Sequence, residues 1–259
     1  MAPPSGRAAD PMLAGAVTIL SPLIAQVEIR EAGQGPTTCA GRNDGFCGQY
    51  VLDNIDDYVR PTIDHLELVV LSVLLGFVVA IALAVLSHGR RWLIPPLVGV
   101  TGVLYTIPSI ALFMLLLPIT GRGTETAVIA LALYNLQIIY RNANSGLANV
   151  PAAAKDAGRG MGMTKRQLLW RVELPLATPE IIAGLRIATV STVAIATLAI
   201  FAGAGGLGEI IYNAGLQRDV FKTNIVMGSG LAILMAIALD GLLVLSQRFA
   251  APWRRLQPA

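Results

Sequence analysis

Three glycines in the segment FAGAGGLGEII, residues 201–211, have the spacing of a nucleotide-binding loop. Gly203, Gly205 and Gly208 spell G-x-G-x-x-G, which binds a dinucleotide when it follows a β-strand and opens a helix. Here the preceding residues form an apolar run of helical length, and no strand–helix–strand pattern follows. The sequence also contains no phosphate-binding loop of the type G-x-x-x-x-G-K-[ST]. We therefore predict that this chain binds neither a dinucleotide nor ATP.

The histidines and acids do not form a recognisable hydrolytic or metal site. A membrane metalloprotease requires two histidines in H-E-x-x-H, whereas His65 and His88 are the only histidines and lie at opposite ends of one apolar run. An aspartyl protease requires two opposed acids, and only Asp240 lies well inside an apolar run. We expect no enzymatic activity and no bound metal in this chain.

Two ionisable residues, Arg186 and Asp240, fall in or near apolar runs. Ionisable groups inside a membrane mark functional positions by default. The long side chain of Arg186 can instead reach the lipid headgroups, or Arg186 can form an ion pair that only stabilises the fold. The aromatic faces of Tyr105, Tyr134 and Tyr140 could bind a cationic solute or simply pack between helices. Both interpretations stay open for all of these side chains.

The elements that must hold these residues are apolar helices. The chain has 259 residues, of which 54% are hydrophobic and 14% are charged, against about 25% charged in soluble domains. A spanning helix needs roughly 20 apolar residues. A shorter run, 126–140, contains Asn135 and Gln137 and is expected to pack inside a helix bundle. With it, the sequence predicts an all-α integral membrane protein of five core spans, the other four at 68–87, 92–120, 187–207 and 224–247.

The second of these runs is longer than one crossing requires. It contains four prolines, and a proline inside a helix removes a backbone donor and bends the chain. We therefore predict a break near 105–109, after which the apolar segment returns toward the surface.

The N-terminal segment 1–64 is predicted to be polar and extracytoplasmic apart from the apolar stretch 12–27. That stretch is either a signal-like region or a short sixth span, and the lack of a clear cleavage site favours the span. Cys39 and Cys47 lie in the polar part, where an oxidising compartment permits a disulfide. A disulfide and two free thiols are both open.

Basic residues near span ends indicate which loops face the cytoplasm. They place 87–92, the loop 151–175 and the tail 251–259 inside, and 28–64, 121–125 and 202–223 outside. The membrane domain then extends over 65–250. The formal net charge of +3 is thus a topology signal, and no nucleic-acid partner is expected.

A charged segment, KDAGRGMGMTKRQLLWRVELP, lies between two of the apolar runs. Thr164 and Gln167 form a capping box, which predicts a helix from Lys165 that ends at Pro175. A looser helix over 152–160 precedes it, and Gly162 permits a sharp turn between the two. Such an element either lies on anionic lipid or docks into a groove of a soluble partner.

The spacing of this segment resembles the EAA motif of ABC importer membrane subunits. That motif runs Glu-Ala-Ala, three residues, Gly, nine residues, Ile, one residue, Leu-Pro. Asp156 replaces its glutamate, and Gly158 replaces an alanine, which weakens the first helix by about 1 kcal/mol. Segments 105–118, 160–186 and 201–211 are similar to the osmoprotectant permeases for glycine betaine, carnitine, choline and proline betaine.

This resemblance implies a type I ABC importer transmembrane domain in a prokaryotic cell membrane. Its implied partners are cytoplasmic ABC ATPases that bind the ATP, an extracytoplasmic solute-binding protein, membrane lipid, and a second permease subunit of the same or a related chain. No cofactor is implied for this chain. A permease for another small solute such as an amino acid, or a secondary carrier, is the alternative.

The resemblance and the residue types together define two candidate site sets. The ATPase-coupling set comprises Asp156, Ala157, Gly158, Gly162, Thr164, Leu174 and Pro175. The translocation-path set comprises Tyr105, Pro108, Ser109, Asn135, Gly205, Gly206 and Asp240.

Overall fold

The computed structural model of the protein describes residues 39–217 and 220–250. Every regular element among these residues is helical. The chain divides into two compact units, Met1–Arg42 and Asn43–Ala259. In the first unit the described part is the short helix α1, Cys39–Arg42. The apolar stretch 12–27 and the tail 251–259 lie outside the described residues.

The second unit consists of long helices joined by short turns. In its described part, the four long helices are α3 (Asp56–Ser87), α6 (Thr124–Ala148), α9 (Leu174–Ala196) and α11 (Lys222–Ala250). The shorter elements are α2 (Gly48–Asp53), α4 (Ile94–Thr106), α5 (Ser109–Thr120), α7 (Ala152–Gly160), α8 (Lys165–Leu168) and α10 (Leu207–Ile211), with 3-10 turns at Arg91–Leu93 and Ala199–Ala202 and π-helical segments at Leu169–Glu173 and Tyr212–Leu216.

Among the described residues, three helical stretches are long and apolar enough to cross a membrane: Asp56–Ser87, Lys165–Ala196 and Lys222–Phe249. A fourth crossing is available if the bent pair Arg91–Thr106 and Ser109–Thr120 counts as one span. Helix α6 is less apolar, although its 25 residues correspond to roughly 37 Å at about 1.5 Å per residue. It packs between α3, α4 and α9, which agrees with its predicted place inside the bundle.

The predicted break in the second apolar run is confirmed. Helix α4 ends at Thr106, Ile107 is extended, and α5 starts at Ser109, so that the two helices are bent by 99°. Pro108 accounts for this, because proline disfavours a helical conformation in the residue before it and has no backbone N–H to donate.

The fourth predicted span, 187–207, is wrong in its boundaries. The apolar helix begins at Lys165 and ends at Ala196, and the residues after Ala196 form turns around Ala199–Ala202. The expected stop at Pro175 does not occur. Pro175 is the second residue of α9, directly after the π-helical Leu169–Glu173, and a π-bulge lets a helix continue where the hydrogen-bond ladder is disturbed.

Polar side chains hold the centre of the bundle together. Asn135 of α6 donates from Nδ2 to the carbonyl of Ser72 on α3 at 3.3 Å and accepts from Thr192 Oγ1 on α9 at 2.8 Å. Nearer one end of α6, Tyr140 donates to Ser87 Oγ at 3.1 Å. These bonds satisfy buried polar groups that neither lipid nor packed side chains would satisfy.

The loops between the helices lie in two groups, one at each end of the bundle. These are the same two groups that the distribution of basic residues predicted. At one end, Tyr58 donates to Asn224 Oδ1 at 2.6 Å, and the backbone N–H of Gly123 donates to the carbonyl of Ala202 at 2.9 Å. At the other end, His88 meets Glu173. Between the ends, α3 and α11 expose large apolar side chains that suit a lipid environment, among them Val78, Ile233, Ile237 and Leu242.

Candidate functional site

The charged segment folds as a helix, a turn and a second helix, as its sequence indicates. Thr164 Oγ1 accepts the backbone N–H of Gln167 at 3.3 Å, and Gln167 Oε1 accepts the N–H of Thr164 at 2.9 Å. Both halves of the predicted capping box are therefore present. They satisfy donors that a helix start otherwise leaves exposed.

Gly162 makes the turn between α7 and α8. Its φ is +76°, a conformation that glycine adopts without steric cost. The N–H of Met163 donates to the carbonyl of Gly158 at 3.1 Å, and the N–H of Gly162 donates to that of Arg159 at 2.9 Å. This pair of bonds is a Schellman motif, so the end of α7 and the direction of the chain after it are both fixed.

The two helices approach each other at Gly158, the position where the family motif has alanine. A Cβ atom placed there would lie 2.6 Å from Leu168 Cδ1 and 3.5 Å from Met163 Sδ. The missing side chain thus lets α7 pack closely on α8. This contact offers a structural reason for the departure from the motif and offsets the low helix propensity of glycine.

The outer side of this element carries charge and exposed apolar surface. Asp156 and Arg159 form an exposed ion pair at 3.0 Å, and Ala157 beside them is exposed. Met161 at the turn and Trp170 beyond it are 70% and 55% exposed. Exposed aromatic and methionine side chains with charges around them are typical of protein-binding surfaces.

A buried acid that the sequence did not single out joins this element to the bundle. Glu173, in the π-helical segment, is 4% exposed, and its Oε2 lies 3.2 Å from His88 Nε2 and 3.9 Å from Lys155 Nζ. Lys155 also donates to the carbonyl of Leu147 at 3.3 Å. Glu173 therefore links the end of α3, the first turn of α7 and the start of the α9 span.

Two members of the predicted coupling set, Leu174 and Pro175, are half-buried. Leu174 and Pro175 line an apolar cavity of about 600 Å³ together with Phe77 of α3 and Ile181 of α9. They belong to the first turn of the span, because the helix does not stop at Pro175. The exposed part of the set is Asp156, Ala157, Gly162 and Thr164.

Three members of the predicted path set meet at the break in the second run. Tyr105 is 44% exposed and packs edge-on against Tyr134, with ring centroids 5.8 Å apart. Tyr134 donates its hydroxyl to the carbonyl of Ile107. Pro108 and Ser109 start α5 at the same bend.

The remaining path candidates lie apart from this bend. Asn135 is 1% exposed and uses both of its side-chain polar atoms in hydrogen bonds between helices, and its place on the path stays a prediction. Gly205 lines a small polar cavity of about 270 Å³ with Arg60 and Asp64. Gly206 is buried against His65.

Asp240 pairs with the other charged candidate. Arg186 Nε and Nη2 donate to Asp240 Oδ1 and Oδ2, both at 2.8 Å. This bidentate geometry is the strongest form of a carboxylate–guanidinium contact. Of the two interpretations that the sequence left open, the structure favours a structural clamp between α9 and α11.

The cysteines are not free thiols. Cys39 and Cys47 are each disulfide-bonded. Among the described residues no cluster of histidine, cysteine and acids could hold a metal ion.

A helical bundle with apolar spans and a helix–turn–helix protruding from one end defines a multi-spanning integral membrane protein. The family of binding-protein-dependent transport system inner membrane components matches residues 72–253. Since this covers well over half of the chain, the protein belongs to that family.

Characterised relatives carry the same pattern over most of their length. The osmoprotectant import permease protein OsmW of Salmonella typhimurium is 40% identical over 199 residues, which are 75% of this chain and 92% of that protein. The choline transport system permease protein OpuBB of Bacillus subtilis is 32% identical over 205 residues, 79% of this chain and 93% of that protein. The relatives are thus transport permeases.

Solved structures show the same fold. A chain of the MetNI methionine ABC transporter in an inward-facing conformation superposes with a TM-score of 0.62 at 26% identity, covering 71% of this chain and 94% of that one. A chain of an amino acid ABC transporter gives a TM-score of 0.66 at 17% identity, with coverages of 77% and 97%. The fold is therefore that of type I ABC importer membrane subunits.

Proposed function

We propose that this chain is the membrane-spanning permease subunit of an ATP-driven importer for a small osmoprotectant such as glycine betaine, choline, carnitine or proline betaine. The observation that carries the proposal is the exposed helix–turn–helix formed by α7 and α8, with its Schellman turn and capping box. The solute class is supported by relatives named as osmoprotectant, choline and carnitine permeases.

Coupling to ATP hydrolysis follows from the position of this element. ABC ATPases dock on its exposed face around Asp156 and Gly162, on the cytoplasmic side. Their closure moves α7 and α8, and the Glu173 contacts transmit the displacement to His88 at the end of α3 and to the α9 span. Packed helices then shift as rigid bodies and alternate access to the solute path.

The proposed assembly contains further chains. A binding protein delivers the solute to the extracytoplasmic end, and a second permease subunit, identical or related, completes the path. The C-terminus lies in the cytoplasm. The apolar side chains exposed on α3 and α11 face lipid or this second subunit.

The test is purification of the chain from its native membrane in mild detergent, with identification of the co-purifying proteins by mass spectrometry. An ABC ATPase that accompanies the wild type and is lost in the Gly162→Glu variant supports the proposal. Uptake of labelled glycine betaine and choline, compared with an amino acid such as methionine in the same cells, tests the solute class. Absence of any ATPase, under conditions that keep other membrane complexes intact, would contradict the proposal.

A further inference from the structure

A cavity of about 440 Å³ opens at the end of the bundle that carries the 121–125 and 202–223 loops. Its volume is within the range of small-molecule sites, about 300–1,000 Å³. Four short elements contribute its walls: α5, the turn before α6, the 3-10 turn Ala199–Ala202, and α10 with the π-helical segment after it. The residues used below are Met114, Arg122, Phe201, Glu209 and Tyr212.

The cavity has one cationic and one anionic side chain in its lining. Arg122 lies over Gly203, with its Nε 3.4 Å from where a Cβ atom of that glycine would be. Glu209 comes from the first turn of α10. Within residues 39–217 and 220–250 neither Arg122 nor Glu209 forms an ion pair. Both charges are thus available to a ligand.

An aromatic pair lines the same cavity as the acid. Phe201 and Tyr212 pack edge to face, with ring centroids 5.1 Å apart and planes at 65°. Aromatic faces attract quaternary ammonium groups through the ring quadrupole, and a nearby carboxylate adds to this attraction. Met114 supplies a soft apolar wall that suits methyl groups.

We propose that this cavity is a low-affinity receiving site for a compact zwitterion, whose carboxylate binds Arg122 and whose quaternary ammonium binds Glu209, Phe201 and Tyr212. The inference rests on the proposed function and adds a solute contact in the permease itself. A cation without a carboxylate, such as choline, uses the Glu209 side of the site alone. Arg122 is therefore the residue that distinguishes a zwitterion such as glycine betaine from a cation such as choline.

The small polar cavity around Arg60, Asp64 and Glu67 is the competing location at the same end. There the arginine is already paired, since Arg60 Nε lies 2.8 Å from Asp64 Oδ1, and no aromatic side chain lines the cavity. This cavity therefore provides fewer groups that could bind a zwitterion than the Arg122 cavity does. Arg60 therefore provides a matched control for Arg122.

The experiment measures binding of radiolabelled glycine betaine and choline to the permease with its co-purified ATPase in lipid nanodiscs, without binding protein. Arg122→Gln removes the charged donor for the carboxylate, so glycine betaine binding should weaken about tenfold or more while choline binding is unchanged. Glu209→Gln and Tyr212→Leu should weaken both solutes. Arg60→Gln and Glu125→Gln should change neither.

The unchanged choline binding of Arg122→Gln also shows that the variant is folded, and Arg122→Lys should recover part of the glycine betaine binding. Equal losses for both solutes in Arg122→Gln, or a betaine-specific loss in Arg60→Gln, would overturn the site. So would the lack of binding to a wild type that imports these solutes in cells. If wild-type cells import neither solute, the proposed function itself fails.

Discussion

Single residues decide how the coupling element is shaped and attached. At Gly162 the requirement is purely one of backbone, because no atom lies within 4 Å of a hypothetical Cβ there although φ is +76°. At Glu173 the requirement is electrostatic, because a buried carboxylate is stable only with cationic or hydrogen-bonding partners. Variants at the two positions should therefore fail in different ways.

Gly162→Glu should abolish solute uptake while the protein remains in the membrane. A non-glycine residue strains the left-handed turn by roughly 1 kcal/mol, and the new carboxylate projects from the tip of the docking surface. Uptake by whole cells, normalised to the permease level in membranes, is the measurement. Gly162→Asn is the matched control, because asparagine tolerates this conformation, and it should keep most of the uptake. Normal uptake by Gly162→Glu would contradict the role of this turn.

Glu173→Leu should lower both stability and coupling. It removes the carboxylate whose Oε2 lies 3.2 Å from His88 Nε2 and 3.9 Å from Lys155 Nζ. The loss of these ion-pair contacts should cost about 1 kcal/mol, because both cationic partners are partly exposed. A lower thermal midpoint of the purified complex and a reduced ratio of uptake to ATP hydrolysis are expected. The control is Glu180→Gln on α9, an acid for which the described residues show no ion pair. An unchanged ratio of uptake to hydrolysis in Glu173→Leu would show that Glu173 only stabilises the fold.

Elements are connected by a few polar contacts that bridge the long helices. Asn135 joins α3, α6 and α9, and Arg186 joins α9 to Asp240 on α11. In lipid such contacts are favoured because an unpaired polar or charged group has no water to replace its partner. The clamp between Arg186 and Asp240 is thus a property of two helices, and it is best tested as a pair.

Arg186→Leu alone and Asp240→Leu alone should each reduce the amount of folded protein in the membrane several-fold, because each leaves one charge unpaired within a span. The double variant Arg186→Leu with Asp240→Leu should recover much of that loss, since it removes both charges together. Quantitative immunoblotting and detergent melting curves report the effect. If the double variant loses as much folded protein as the two single variants lose together, the two side chains do not act as a clamp.

At the scale of the whole molecule, the bundle has two chemically distinct ends. The end with His88, Lys155 and Glu173 carries the coupling element. The end with Arg122 and Glu209 carries the candidate receiving site. Import requires these ends to face opposite sides of the membrane, with the coupling element toward the ATPases.

Topology reporters should confirm this orientation. A reporter fused at the C-terminus, or after Trp92 in a truncated chain that keeps Arg90 and Arg91, should be cytoplasmic, because basic residues favour the cytoplasmic side. One fused after Gly121 should be extracytoplasmic. The activities of a paired set of reporters, one active only on each side, are the measurement. A cytoplasmic signal after Gly121 would contradict this orientation. It would then also contradict the roles assigned to the two ends of the bundle.

The sequence alone determined the features that depend on neighbouring residues. Apolar length predicted a membrane protein of long helices, although not every helix boundary. Pro108 predicted the break, and Thr164 with Gln167 predicted the capping box, because both of these signals act within one or two helical turns. The motif spacing around Gly162 also led to the right family. The spacing between Gly162 and the Leu-Pro pair made the segment recognisable even with Asp156 and Gly158 in place of the usual residues.

Only the tertiary structure decided which distant residues meet. The helical stretch that begins with α8 at Lys165 continues through the π-helical segment into α9 and past Pro175. Packing of α9 against α3 supports it, whereas the proline alone predicted a stop. The partners of Glu173, the clamp between Arg186 and Asp240, and the burial of Asn135 all depend on helices far apart in the chain. A side chain's chemistry is set by the partner that packing brings to it, and one sequence does not state that partner.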